Sequence, residues 1–328
     1  MDSTIEISVI IPVQNRENTI IQCVNSIISQ TYLPKEIIIV DDGSSDNTVT
    51  ILKSLNNELI RVITNKHSKG AQGARNEGIK AAKCDWIAFL DSDDEWLPDK
   101  LEKQASLIQK NELNDFSVIQ CGCYKYFKKN NTKELWNIPI CEGNSSKVLS
   151  QLILEPGPMF QGLLTSKTAL ETIGYLDEKT PSYQEWDTSI MLAKNCDYYW
   201  VDEPLFTYHI GNKETTFQNK GIRIQGIEYI LDKNKELIVS IHGLKEFSNQ
   251  VYQLIMLPLN GGLWDKAKKI IKMKERYLSR SQLTRLLLFL FLKIKPQKIT
   301  FLTYFLQNPF YGLKHLLKKL LRIKTSRK

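Results

Sequence analysis

Two hydrophobic periods alternate along the first hundred residues. The run at residues 5–13, IEISVIIPV, is short, β-branched and continuous, and Glu36–Val40, Ile60–Thr64 and Trp86–Leu90 repeat that character. Such runs predict four buried strands. Between them apolar residues recur at helical spacing: Ile20, Ile21, Val24, Ile27 and Ile28 first, then Val49, Ile51, Leu52 and Leu55, then the stretch Gln72 to Ala82. Strand and helix in alternation imply a parallel, doubly wound α/β sheet, and ligands of such sheets bind beyond the carboxyl ends of the strands. Two of the four strands end in carboxylates. Asp41-Asp42-Gly43-Ser44-Ser45-Asp46 follows the second, and Asp91, Asp93 and Asp94 follow the fourth. The same residues also suit plain polar turns, because Asp caps helices and Pro98 fits a first helical turn.

Downstream the pattern changes. Phe116–Cys121 and Tyr124–Phe127 read as strands, KKNNTKE as an exposed loop, and residues 159–178 as a strand and helix closed by Gly174. Tyr183-Gln184-Glu185-Trp186-Asp187 then opens a helical pattern that runs through Ile190, Met191 and Ala193. From about Phe217 the chain reads as helical. The apolar run at 286–292 is seven residues long, too short to span a bilayer, which takes about 20.

Charge sharpens the division. Net charge is +8, yet thirteen of the 44 Lys and Arg follow Glu275 and no acid does, so the first 275 residues hold 31 basic against 36 acidic residues, a net of −5. A uniformly basic fold would suit nucleic acid; a slightly acidic body with a basic, apolar tail suits an anionic membrane surface instead. In the tail, Phe310, Leu313, Leu316, Leu317, Leu320 and Leu321 share one helical face while Lys314, Lys318, Lys319 and Arg322 lie towards the other. That helix would lie in a membrane interface or dock on the rest of the protein. Six cysteines without paired metal spacing, and a start lacking a basic segment and an apolar secretion core, predict a cytoplasmic protein. Together these features predict an α/β domain at 1–215 and a helical, basic region at 216–328, peripheral on the cytoplasmic face of the membrane.

Neither the Gly-rich dinucleotide turn nor the phosphate loop G-x-x-x-x-G-K-[ST] is present. A divalent cation on the Asp91 to Asp94 turn would meet phosphate charge in their place, since magnesium typically uses one or two carboxylates plus substrate phosphates.

At this point SVIIPVQNR, IVDDGSSDNT, GAQGARNEGIKAA and DWIAFLDSDDEWLPDKLE, in that order, resemble the successive motifs of the family 2 glycosyltransferases over roughly residues 5–210. The resemblance implies that 1–215 is a catalytic domain of GT-A fold, here a doubly wound mixed sheet with a C-terminal helical extension. It further implies a nucleotide-sugar donor, a UDP-sugar foremost, a divalent metal (Mg2+ or Mn2+) and an inverting transfer. Carried over by motif, Pro12 and Asn15 would line the nucleotide pocket, Asp42 would bond the base, with Asp41 beside it, Asp91 would face the ribose and Asp93 would bind the metal. Arg75 would sit near the nucleotide or its diphosphate, or else be a surface helix arginine. Glu185 is the candidate base, although Gln184-Glu185 stands where the family has an acidic pair, which leaves Asp187 as a competitor. His209 falls where a diphosphate or metal contact sometimes lies, or is structural. No Q-x-x-R-W element occurs, which favours addition of a single sugar to a lipid-linked or cell-envelope glycan over a processive synthase. A metal-dependent nucleotidyltransferase and a non-catalytic scaffold of the same fold remain as other readings.

Overall fold

The computed structural model describes residues 4–66, 70–211, 219–284 and 286. By its contacts the chain divides into two compact units, Met1–Ile230 and Leu231–Lys328.

The first unit opens as the hydrophobic pattern requires. β1 (Ile7–Val13), α1 (Ile20–Ile28), β2 (Glu36–Asp41), α2 (Thr48–Ser54), β3 (Ile60–Thr64), α3 (Ala71–Ala81) and β4 (Trp86–Phe89) alternate, and the four strands lie parallel in the order β3-β2-β1-β4. Every residue of β1, β2 and β4 is buried, which is why these strands read as nearly continuous apolar runs. Gly78 lets α3 settle on β1: a Cβ there would fall 2.4 Å from Ile10 Cγ2. That close approach brings Arg75, one turn earlier on the same helix, against the carboxyl end of the sheet.

Beyond β4 the sheet becomes mixed. β5 (Glu95–Trp96), α4 (Lys100–Lys110), β6 (Ser117–Phe127), β7 (Thr132–Trp136), α5 (Ser145–Leu152), a single 3-10 turn at Phe160–Gly162, β8 (Leu164–Ser166), α6 (Lys167–Thr172), α7 (Gln184–Leu192) and β9 (Asp197–Ile210) complete the order β3-β2-β1-β4-β8-β6-β9-β5, with β7 paired to β6. β8 runs antiparallel to β4 and β6, and β9 runs parallel to β6 along almost its whole length.

Two expectations change, and one element appears that the sequence pattern does not predict. The two strands around Gly122 are one, β6, whose register against β9 slips at Gly122. A Cβ at Gly122 would meet Glu203 O at 3.2 Å, so glycine admits the bulged partner strand there. KKNNTKE is a turn only over residues 128–131, with Asn131 at φ 52; Thr132 then starts a strand that pairs back onto β6, Phe127 opposite Thr132. β7 is exposed at all but Trp136, so it has no apolar alternation to betray it. Finally, β5 is two residues long and exists because β9 offers it an edge, Glu95 opposite Thr207. As expected, Gly174 follows α6 in the left-handed region, φ 76.

α8 (Lys220–Lys233) leads out of the first unit. In the second, α9 (Lys235–Asn260) is interrupted at Gly243, where φ 80 and ψ 166 break the helical path, and α10 (Trp264–Lys274) follows. Phe247, Val251, Leu254, Ile255, Ile270 and Ile271 form its interior, and the buried Lys274 pairs with Asp232. No described helix is long and apolar enough to cross a membrane. The apolar run beyond Leu286 and the amphipathic segment at 310–322 lie outside the described residues.

Candidate active site

β1 lies between β2 and β4, so the chain's order reverses beside it and a crevice opens at the carboxyl ends of these strands. Pro12 marks the opening. Ile10 O takes the last β4 bond, from Leu90 N, so Pro12, two residues on, faces the side where β4 has already left the ladder and no N–H is required. Asn15 then adopts the left-handed conformation, φ 53, which its short polar side chain tolerates. Its Oδ1 accepts from Ser45 N (2.8 Å), and its own N–H donates to Ser44 Oγ (3.0 Å). The loops after β1 and β2 are thereby clasped together.

Asp41 and Asp42, both buried, do different work. Asp41 Oδ1 accepts from Ser44 N within its own turn. Asp42 reaches across to the loop after β3, accepting from Asn65 Nδ2 and Gly70 N, each at 2.7 Å.

The turn after β4 carries a connected network. Asp91 Oδ1 accepts from Arg75 Nη2 at 2.5 Å and Asp91 Oδ2 from Gln161 Nε2 at 2.8 Å. The same Gln161 nitrogen bonds Asp94 Oδ2 at 2.5 Å, while Asp94 Oδ1 accepts from His209 N at 2.8 Å. Asp94 is 1% exposed. Burial, then the carboxylates of Asp93 and Asp91, hold its carboxyl well above the usual range. Asp93 points outward, with its side chain 38% exposed and Arg16 Nη2 3.4 Å away. Burial of its surroundings and the Asp91 charge raise it too. Arg75 is enclosed instead of presented to solvent: Gln72 Oε1 accepts from it at 2.9 Å and its guanidinium lies 4.2 Å from the Phe160 ring centre. His209 Nε2 lies 2.6 Å from Glu95 Oε1, off the line of a hydrogen bond. β5 and β9 bring that pair together.

Across the crevice, α7 begins at Tyr183, which is held at φ 57, ψ 40. A non-glycine residue there costs on the order of 1–2 kcal/mol. Arg223 of α8 donates to the Tyr183 hydroxyl at 3.0 and 3.2 Å, and Trp186 meets the ring edge-on at 5.9 Å. The half-buried Glu185 sits in the first turn. Its burial raises the carboxyl above the usual range; Arg75 pulls it down and Asp91 pushes it up, so it shares the field of the acidic turn. Asp187 is 1% exposed and lies about 200° further round the helix, facing away from Glu185.

Among the described residues no group of three His, Cys, Asp or Glu side chains is arranged as a metal cage. The donor set fits a different kind of site. Asp91 and Asp94 are committed to Arg75, Gln161 and His209 N, whereas Asp93 keeps an exposed carboxylate in surroundings of excess negative charge. One carboxylate with its remaining ligands from water and phosphate is how magnesium is usually bound.

Gln161, Arg16 and Glu95 join the site without having been singled out from the sequence. Gln161 stands in an otherwise apolar stretch, MFQGLL, and a buried amide of that kind is the signal that could have found it.

Comparison with known proteins follows the same outline. Residues 8–164 match the family model described as Glycosyl transferase family 2. Two Escherichia coli proteins, the UDP-Glc:alpha-D-GlcNAc-diphosphoundecaprenol beta-1,3-glucosyltransferases WfgD and WfaP, are 44% and 43% identical over 108 and 107 residues, 33% of this chain in each case. The chain spans 43% of the length of either relative. The crystal structure of S. aureus TarS 1-349 in complex with UDP-GlcNAc superposes with a TM-score of 0.64 at 18% identity, covering 85% of this chain and 83% of that one. The fold is of the GT-A type.

Proposed function

We propose that this chain, whose residues 8–164 match the model of Glycosyl transferase family 2, is an inverting glycosyltransferase of that family. It moves one sugar from a nucleoside-diphosphate sugar, foremost a UDP-sugar, to a hydroxyl of a lipid-linked or cell-envelope glycan. The observation that carries this reading is the meeting of Asp42, Asp91 and Asp93 at the carboxyl ends of β2 and β4 with a Glu185 that feels both Arg75 and Asp91. The E. coli relatives, named for UDP-Glc and a diphosphoundecaprenol acceptor, support the choice of donor and acceptor class.

In this mechanism Asp42 bonds the base and Asp91 the ribose, with Pro12 and Asn15 shaping the pocket and Arg75 acting on the nucleotide through Asp91. Asp93 would hold Mg2+ or Mn2+, which neutralises charge on the departing nucleoside diphosphate. Glu185 accepts the proton of the acceptor hydroxyl. The freed oxygen attacks the anomeric carbon in line, and the bond to the diphosphate breaks as the new glycosidic bond forms. A carboxyl raised by burial is the stronger base for that transfer. Asp41, Asp187 and His209 serve the framework, and the basic C-terminal residues hold the protein at the cytoplasmic face of the membrane.

The test is a nucleotide-sugar panel with an N-acetylglucosamine-diphosphate prenol acceptor. Transfer with inverted anomeric configuration by NMR is expected, and Glu185→Gln should keep donor binding while kcat falls about 10²- to 10⁴-fold. Retained configuration, or full activity of the Gln variant, would overturn the mechanism. Release of sugar 1-phosphate, as the nucleotidyl group is transferred, would indicate a nucleotidyltransferase, and no turnover of any donor a scaffold.

A further inference from the structure

The hairpin of β6 and β7 takes no part in the donor chemistry, yet β6 pairs with β9, the strand whose His209 N–H holds Asp94. Strand register sets Lys125 opposite Tyr208 on β9 and Glu134 on β7, while Trp136 stands opposite Cys123, so Trp136, Lys125 and Tyr208 share one face. The Trp136 and Tyr208 rings lie 5.6 Å apart at 44°, and Lys125 Nζ lies 3.6 Å from the Trp136 ring centre. All three are half-buried, Trp136 and Tyr208 resting with part of their surface against the hydrophobic core. Tyr208 directly precedes His209, whose N–H is bonded to Asp94, so the platform begins one residue from the acidic turn. Burial first, and after it the charges of Asp94, Asp91, Asp93 and Glu185, raise the Tyr208 hydroxyl, so it lies within the field of the acidic turn.

Two aromatic rings inclined at 44° offer an angled apolar surface, and the C–H face of a pyranose can rest on the open part of either ring. The lysine beside them supplies one mobile cation. Its contact with Trp136 is worth only about 0.5–1 kcal/mol at an exposed site, whereas a charge-assisted bond to a phosphate oxygen is stronger. An arriving anion would therefore draw Lys125 off the ring and uncover the stacking plane. The turn that joins β6 to β7 adds Lys128 and Lys129, both exposed.

We propose that Trp136 and Tyr208 form the acceptor subsite, stacking the acceptor's sugar ring while Lys125 binds the diphosphate that joins that sugar to its lipid. The inference rests on the glycosyltransferase reading above and extends it from donor to acceptor. It places the acceptor hydroxyl between the platform and Glu185.

The experiment uses the full chain with an N-acetylglucosamine-diphosphate prenol of short chain and, for contrast, the neutral octyl glycoside of the same sugar. Trp136→Ala should raise the KM for both acceptors about tenfold, while the KM for donor and the slow hydrolysis of donor without acceptor stay as in wild type. Trp136→Phe should recover most of the loss. Lys125→Met should raise KM for the diphosphate acceptor only. Unchanged acceptor KM in Trp136→Ala, or equal losses for donor and acceptor, would overturn the subsite while leaving the glycosyltransferase reading intact. If no donor turns over at all, that reading fails. Calorimetry of the diphosphate acceptor alone still reads the platform: binding lost in Trp136→Ala supports it, whereas equal binding by both proteins, or none by wild type, refutes it.

Discussion

Replacing Lys100 by Met should make the protein more stable at neutral pH and less stable at high pH. Lys100 is fully buried on α4, its Nζ 2.7 Å from Gln104 Oε1 and 4.1 Å from the Trp96 ring centre. Burial lowers its pKa from 10.5 to about 8. At 1.36 kcal/mol per pH unit, keeping that charge inside costs about 3 kcal/mol at pH 7. Met removes the cost but strands Gln104 Oε1 without its donor, a loss of about 1–3 kcal/mol. The expected net gain at pH 7 is about 1 kcal/mol. Between pH 8 and 10.5 the unfolded chain carries a proton that folded Lys100 has given up, so wild-type stability rises with pH through that window. The Lys100→Met variant lacks the titrating group and should not share that rise. Urea unfolding of both proteins at pH 7, 8, 9 and 10 gives the difference directly, because other groups titrating there largely cancel. It should shift by about 2–3 kcal/mol in favour of wild type from pH 7 to pH 10; a difference constant across that range would refute the reasoning. The position matters beyond stability. Gln104 Nε2 holds Gly162 O and Trp96 Nε1 holds Gln161 O, each at 2.9 Å, so the buried lysine underlies the turn that presents Gln161.

Gln161→Leu should lose the nitrogen that ties Asp91 to Asp94, lowering stability by about 2–4 kcal/mol in urea melts and depressing kcat, since bonds to charged groups are worth about 1.5–3 kcal/mol each; wild-type stability would show that the bridge is not made. Asp93→Asn should change stability by less than about 0.5 kcal/mol, because its pair with Arg16 is exposed on both sides. In steady-state assays with Mg2+ or Mn2+, it should nevertheless cut transfer at least about 100-fold. A fully active Asn variant would remove Asp93 from the metal's place.

The hydrophobic pattern by itself determined the parallel half of the sheet. β1, β2 and β4 are buried on both faces, so each had to be a nearly continuous apolar run, and the intervening helices had to show a single apolar stripe. The same logic delivered Asp42, Asp91 and Asp93, because a carboxylate following a buried strand is visible in a linear sequence. What the pattern could not carry are features created by pairing. β5 has two residues and β7 lies open to solvent, so neither needs a hydrophobic period; each exists because β9 or β6 supplies an edge. Gln161 and His209 lie 67 and 115 residues from Asp94, and only the fold makes them its partners. Arg75 shows the same divide: its motif was legible, but its burial against Asp91 and Phe160 follows from how closely Gly78 lets α3 approach β1. Sequence identified which groups can carry charge at the crevice. Tertiary structure decided which of them face it, because a side chain's neighbours are set by sheet register and helix approach, and neither is written in the local order of residues.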